Sequence, residues 1–139
     1  MTDERDDRGG SSDSAKAGDI TWRSQCPVTS ALDVIGDKWS LLIVRDLLIF
    51  GTRTYSDFRE SPERISTNIL AARLKLLTSA EIIERTNPEG VARNNAFKLT
   101  TSGEALRPVV EGVANWSQTH LKQYHPDMHD LSETRLIQD

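Results

Sequence analysis

A chain of 139 residues with 21 Asp and Glu against 17 Lys and Arg carries a formal charge of −4. It has room for one domain with its own core and not for two. No apolar run exceeds four residues, as in Leu41 to Val44, which excludes a membrane-spanning helix. A single cysteine, Cys26, excludes an internal disulfide and fits a reducing compartment. The first 25 residues contain no hydrophobic signal core, so the expected location is the cytoplasm.

The acidity belongs to the ends. Setting aside six acids and three bases in residues 1–19, and four acids and one base in residues 123–139, leaves 11 acids and 13 bases between them. That middle is mildly basic and tolerates phosphate contact.

Residues 1–22 are expected to be a disordered tail, with Met1 to Asp19 rich in Asp, Arg, Gly and Ser and almost nothing to bury. Folded structure is expected over residues 23–124. Pro27 suits a first helical position, and Val28, Leu32 and Ile35 form an apolar stripe that stops at Gly36. Asp37 is placed to cap a second helix, whose Trp39, Leu42, Ile43, Leu47 and Leu48 supply core and which ends at Phe50-Gly51. Thr52 to Thr54 reads as a short strand. Tyr55 to Arg59 reads as a short helix with Tyr55 and Phe58 turned inward, and Pro62 breaks the chain after it.

Ser66 is then an N-cap, with Ile65 and Leu70 at the positions of a hydrophobic staple. Leu70, Leu74 and Leu77 make one buried stripe. The opposite face carries Asn68, Ala71, Ala72 and Lys75, with Thr67 and Arg73 at its borders. Two strands follow, Ile82 to Thr86 and Asn95 to Leu99, joined by a polar turn from Pro88 to Asn94. Thr101 and Glu104 have capping-box spacing and are expected to open a long helix to about Tyr124, kinked or loosened near Pro108. Its Val109, Val110, Val113, Trp116 and Leu121 exceed what one small core can take. With the Val28–Ile35 helix as companion, that surplus predicts a homodimer. Residues 125–139 form a polar C-terminal tail.

This order predicts an α+β, mostly helical fold: a winged helix-turn-helix with N- and C-terminal dimerisation helices. A helix whose free side carries small residues, amides and a cation suits the major groove of double-stranded DNA. Asn68 can pair with adenine, and Thr67 can reach a phosphate or a thymine methyl. Ser66 and the free amides beside it suit a phosphate. Ala71 and Ala72 permit close approach, Arg73 and Lys75 extend the basic surface, Arg93 sits near the wing tip, and Lys38 and Arg53 are candidates for backbone positioning.

Cys26 is a candidate redox or electrophile sensor, because a helix N-terminus favours the thiolate and Lys38 or Arg23 can add positive charge. The alternative is a small, half-buried hydrophobe. His125 and His129 have helical metal-ligand spacing, but the intervening Pro126 argues for solvated side chains, and no metal or cofactor is expected. No GxGxxG, P-loop or HExxH occurs, and Cys26 and the histidines lie at opposite ends of the chain, so no enzyme is expected. Two further readings remain open: contact with a protein partner alone, and a small-molecule effector between core and dimer helices, lined by Trp22, Trp39 or Trp116.

The segment CPVTSALDVIGDKWSLLIVRDLL, from Cys26 to Leu48, resembles the start of the HxlR-type bacterial transcription regulators, relatives of the MarR-type winged helices. The resemblance continues through RTYSDFRES, ISTNILAARLKLL, the wing and FKLTTSGEALRPVVEGVANW, covering roughly residues 24–122. It implies a homodimer on a palindromic operator, usually a repressor, and strengthens Cys26 as a sensor, since some members respond to oxidants or electrophiles through a Cys-Pro cysteine. Members commonly carry a glycine after the recognition helix; here Ala80-Glu81 must form that C-cap without one.

Overall fold

The segment Gly36 to Trp39 decides how the first two helices meet. The computed structural model describes residues 20–90 and 95–130. The expectations for the tail of residues 1–19, for Arg93 at the wing tip and for residues 131–139 lie outside them. Helix α1 (Pro27–Ile35) carries proline in its first turn and closes at Gly36, whose N–H donates to the Leu32 carbonyl. Helix α2 (Ser40–Phe50) starts where the Asp37 carboxylate accepts from the Trp39 and Ser40 amides at 2.9 and 3.0 Å, which satisfies donors that have no partner inside the helix. Gly51 takes a left-handed φ of 84° to end it.

Strand β1 (Arg53–Thr54) and helix α3 (Tyr55–Arg59) follow, and then helix α4 (Thr67–Ser79). The sheet is completed by β2 (Ile83–Arg85) and β3 (Ala96–Leu99), in the order β1-β3-β2, antiparallel throughout. Arg53 pairs with Phe97, and Ile83 with Leu99. The two long wing strands are each shorter than the sequence pattern predicts, because pairing begins only at Ile83 and Ala96.

Ile43, Val44, Leu47 and Leu48 of α2 meet Phe58 of α3, Leu70, Leu74 and Leu77 of α4, and Ile82, Ile83 and Leu99 of the wing in one core. Trp39, assigned to that core from the sequence, is half-buried against it, as is Tyr55.

The C-terminal helix departs from expectation. Thr100, not Thr101, is the N-cap: its hydroxyl accepts from the Gly103 amide and donates to the Glu81 carbonyl at 2.6 Å. The four residues of α5 (Thr101–Glu104) then stop, and α6 (Arg107–His120) begins afresh with Pro108 in its first turn. A proline whose missing N–H would break an interior helical bond is tolerated at a start, so the chain makes two helices instead of one kinked helix. Helix α6 ends at His120, which leaves His125 and His129 outside any helix and removes the helical spacing that could have paired them. Among the described residues no group of three His, Cys, Asp or Glu lies together to hold a metal ion, and no helix is long and apolar enough to cross a membrane.

Candidate nucleic-acid interface

Thr54 opens the helix-turn-helix. Its side chain accepts from the Asp57 amide while the Asp57 carboxylate accepts from the Thr54 amide, a reciprocal cap. Those Thr54 contacts, the backbone one foremost, hold the Asp57 carboxyl below its ordinary value. The turn to α4 includes Arg64 at φ 60°, a left-handed conformation that a non-glycine residue adopts only at some cost in strain.

Helix α4 is anchored at its first turn from two sides. Ser66 Oγ accepts from the Ile69 amide at 3.3 Å, and the Tyr55 hydroxyl donates to the Thr67 carbonyl at 2.9 Å. Ile65 and Leu70 are both buried at the staple positions. On the free side Ser66, Thr67, Asn68, Ala71, Ala72 and Lys75 are all exposed. Ile69, which the sequence pattern did not single out, joins them at 40% exposure.

Arg73 and Arg53, expected to face DNA, are engaged within the protein. Arg73 Nη1 lies 3.2 Å from Asp37 Oδ1, so the cap of α2 also grips the middle of α4. Burial opposes ionisation of Asp37, but the Ser40 hydroxyl, the Trp39 amide and the Arg73 guanidinium together outweigh it and hold the carboxyl below its ordinary value. Arg53 stacks 4.3 Å over the Phe50 ring and pairs with Asp46 at 3.2 Å. The reason is the same in both: a buried or half-buried carboxylate on α2 or its cap must be compensated, and these guanidiniums reach it.

Asp46 is the centre of a network no motif revealed. It is 4% exposed and accepts from Arg45, Arg53 and the Ser61 hydroxyl, the last at 2.6 Å. Arg45 makes a two-pronged contact with Glu63 at 2.8 and 3.0 Å. Burial works against the charge on Arg45, yet Glu63 and Asp46 raise its pKa overall, and Arg45 in turn lowers that of Glu63. The network ties α2 to β1 and to the turn of the helix-turn-helix. The one sequence signal was an Arg-Asp pair inside the otherwise apolar run Leu41 to Phe50.

In the wing, Asn95 is buried and closes the hairpin base, accepting from the Asn87 amide at 2.8 Å and donating back to the Asn87 carbonyl. Arg85 Nη2 donates to the Gly90 carbonyl at 3.2 Å. Lys38 is exposed on the α1–α2 turn, its Nζ 5.3 Å from the Trp39 ring.

Away from α4, Val28 and Leu32 of α1 and Val109, Val113 and Trp116 of α6 are exposed, Trp116 at 57% with its ring 5.6 Å from that of His120. Cys26 precedes α1 and is exposed. The Thr29 amide foremost, with the Val28 amide and the Thr29 hydroxyl, holds its thiol below the ordinary value. Arg23, one of the two cations expected to assist, is bound to Asp33 instead. Trp22 borders an open cleft of about 280 Å³ with Val34, Ile35, Ala80 and Leu106. Trp39 and Trp116 do not line it.

Known proteins share this arrangement. The HxlR-like helix-turn-helix family profile matches residues 34–125. YdeP, an HTH-type transcriptional regulator of Bacillus subtilis (strain 168), is 30% identical over 114 residues, 82% of this chain and 85% of YdeP. The crystal structure of PA1607 superposes with a TM-score of 0.65 at 35% identity, covering 78% of this chain and 73% of that one. Quinone-bound YodB from B. subtilis superposes with a TM-score of 0.55 at 31% identity, covering 68% and 99%. The chain belongs to the HxlR-like helix-turn-helix family, and it is a DNA-binding transcriptional regulator, not an enzyme.

Proposed function

We propose that the chain acts as a homodimeric repressor on a roughly palindromic operator, each subunit inserting the first turns of α4 into the major groove. The observation that carries this reading is the division of α4 between a buried leucine stripe and a face on which Thr67, Asn68, Ala71, Ala72 and Lys75 are exposed. In that pose Asn68 reads a base, and Ser66 and Lys38 meet phosphates. Arg93, beyond the described residues, belongs to the same set, and Arg64 at the turn before α4 joins it as a further phosphate contact. Arg53 and Arg73 serve as positioning residues. The exposed apolar side chains of α1 and α6 support dimerisation, which sets two reading helices about 34 Å apart on one side of the duplex. Occupying the operator then excludes the transcription machinery from it.

Cys26 supplies the signal in this reading. Its exposure, its lowered pKa and the quinone bound by the relative YodB support a switch in which an electrophile modifies the thiolate and releases DNA. Footprinting on the DNA flanking its own gene, repeated over a salt series, tests the core of the proposal. Protection of two half-sites, with affinity falling steeply as salt rises, is the expected result. Binding without a salt slope would overturn it. A Cys26→Ser variant should stay on the operator after quinone or diamide treatment that releases the wild type, and release of both would remove Cys26 as the switch.

A further inference from the structure

Ile69 is the one large apolar side chain that α4 leaves exposed, at 40%, although its neighbour Leu70 is fully buried. It lies in the first turn, the part of a recognition helix that meets base edges. Successive helical residues are about 100° apart, which places Ala72 between the directions of Asn68 and Ile69. The reading face is thus an amide on one side and methyl groups on the other. One alternative for base readout is missing from it, and of the two cations on α4 that could pair with guanine one is engaged elsewhere, while the other, Lys75, lies farther along the helix. Helix α4 contains no carboxylate, the group that accepts from the cytosine amino group. Its only guanidinium, Arg73, the usual partner of guanine, is held 3.2 Å from Asp37.

We propose that Ile69 is a specificity-determining residue and that this chain reads thymine through its 5-methyl group, beside an adenine paired with Asn68. The proposal rests on α4 docking in the major groove and adds which base pairs it selects there. The thymine methyl is the only apolar group that a base displays in the major groove, and packing it against Ile69 and Ala72 removes apolar surface of both partners from water.

The test uses the full chain and duplexes enriched by it from a randomised pool. Single thymines are replaced by deoxyuridine, which deletes one methyl group and keeps base pairing. Binding is followed by fluorescence anisotropy at several salt concentrations. One thymine in each half-site, next to a selected adenine, should weaken wild-type binding about fourfold on replacement, the worth of one buried methyl group. Ile69→Ala should lose that discrimination and keep the wild-type salt slope. Ile69→Val, which retains apolar bulk, should keep most of it, so a general defect in the Ala variant would be recognised. Enriched half-sites without thymine beside the adenine would overturn the assignment, as would undiminished discrimination in Ile69→Ala. In either case salt-dependent binding would leave the docking of α4 standing. Absence of any salt-dependent binding would sink both.

Discussion

Asn68 shows what a single position can disclose. Its place opposite Leu70, Leu74 and Leu77 was readable from helical spacing, and it is exposed where that spacing put it. Asn68→Ala should weaken binding by about 1–3 kcal/mol at one base position and relax selection there, measured by gel shift against single-base operator variants. Unchanged selectivity would remove it from the reading set. Arg73 shows the limit of the same reasoning. A helical wheel places it on the border of the free face, but only the fold brings Asp37, 36 residues earlier, to meet its guanidinium. Ile69 escaped for a different reason. An isoleucine next to a buried leucine is ordinarily counted as core, and its exposure depends on which elements pack beside it.

The short elements were largely legible because turn chemistry is local. Pro27, Asp37, Gly51 and Ser66 each act at the helix end where the sequence put them. The missing glycine after α4 is handled by Glu81 at φ 62°, with Glu81 donating to the Thr78 carbonyl and Ile82 to that of Leu77, a Schellman closure made by a non-glycine residue. What stayed hidden was the junction of wing and α5. The Cα hydrogens of Gly103 face the Ile82 carbonyl so closely that a Cβ there would sit 2.1 Å from the oxygen. Gly103→Ala should therefore cost roughly 2–3 kcal/mol, read as a fall in midpoint by urea unfolding, and a wild-type midpoint would show that the contact relaxes freely.

The ion-pair network between α2 and the turn before α4 adds a pH dependence. Arg45 lowers the Glu63 carboxyl below its ordinary value of 4.5. This stabilisation is complete above that value and is lost as pH falls through the lower folded value. Stability should decline below about pH 4.5 more steeply in the wild type than in Glu63→Gln, which gives up the pair at every pH. Equal slopes in thermal melts across that range would show that Glu63 contributes nothing to the acid response.

In the molecule as a whole, the described helices and the wing are arranged around one core, and exposed apolar side chains gather on α1 and α6, at Val28, Leu32, Val109, Val113 and Trp116. The surplus on α6 was visible in the sequence, and Val113 and Trp116 are exposed at 55% and 57%. Trp116→Glu places a charge on that exposed face. It should convert dimer to monomer in sedimentation at micromolar concentration and weaken operator binding by at least about tenfold, because two linked half-site contacts become independent. A variant that remains dimeric would move the interface elsewhere.

Helix α4, the proposed reading helix, is gripped along its length by side chains of other segments: the Tyr55 hydroxyl at its first carbonyl, the Asp37 carboxylate at its midpoint and the Thr100 hydroxyl just past its end. In the proposed docking, a rod braced in this way reaches the duplex already stiff. The freedom that a loosely held helix would surrender on docking has been surrendered during folding, so a larger share of every base contact appears as affinity.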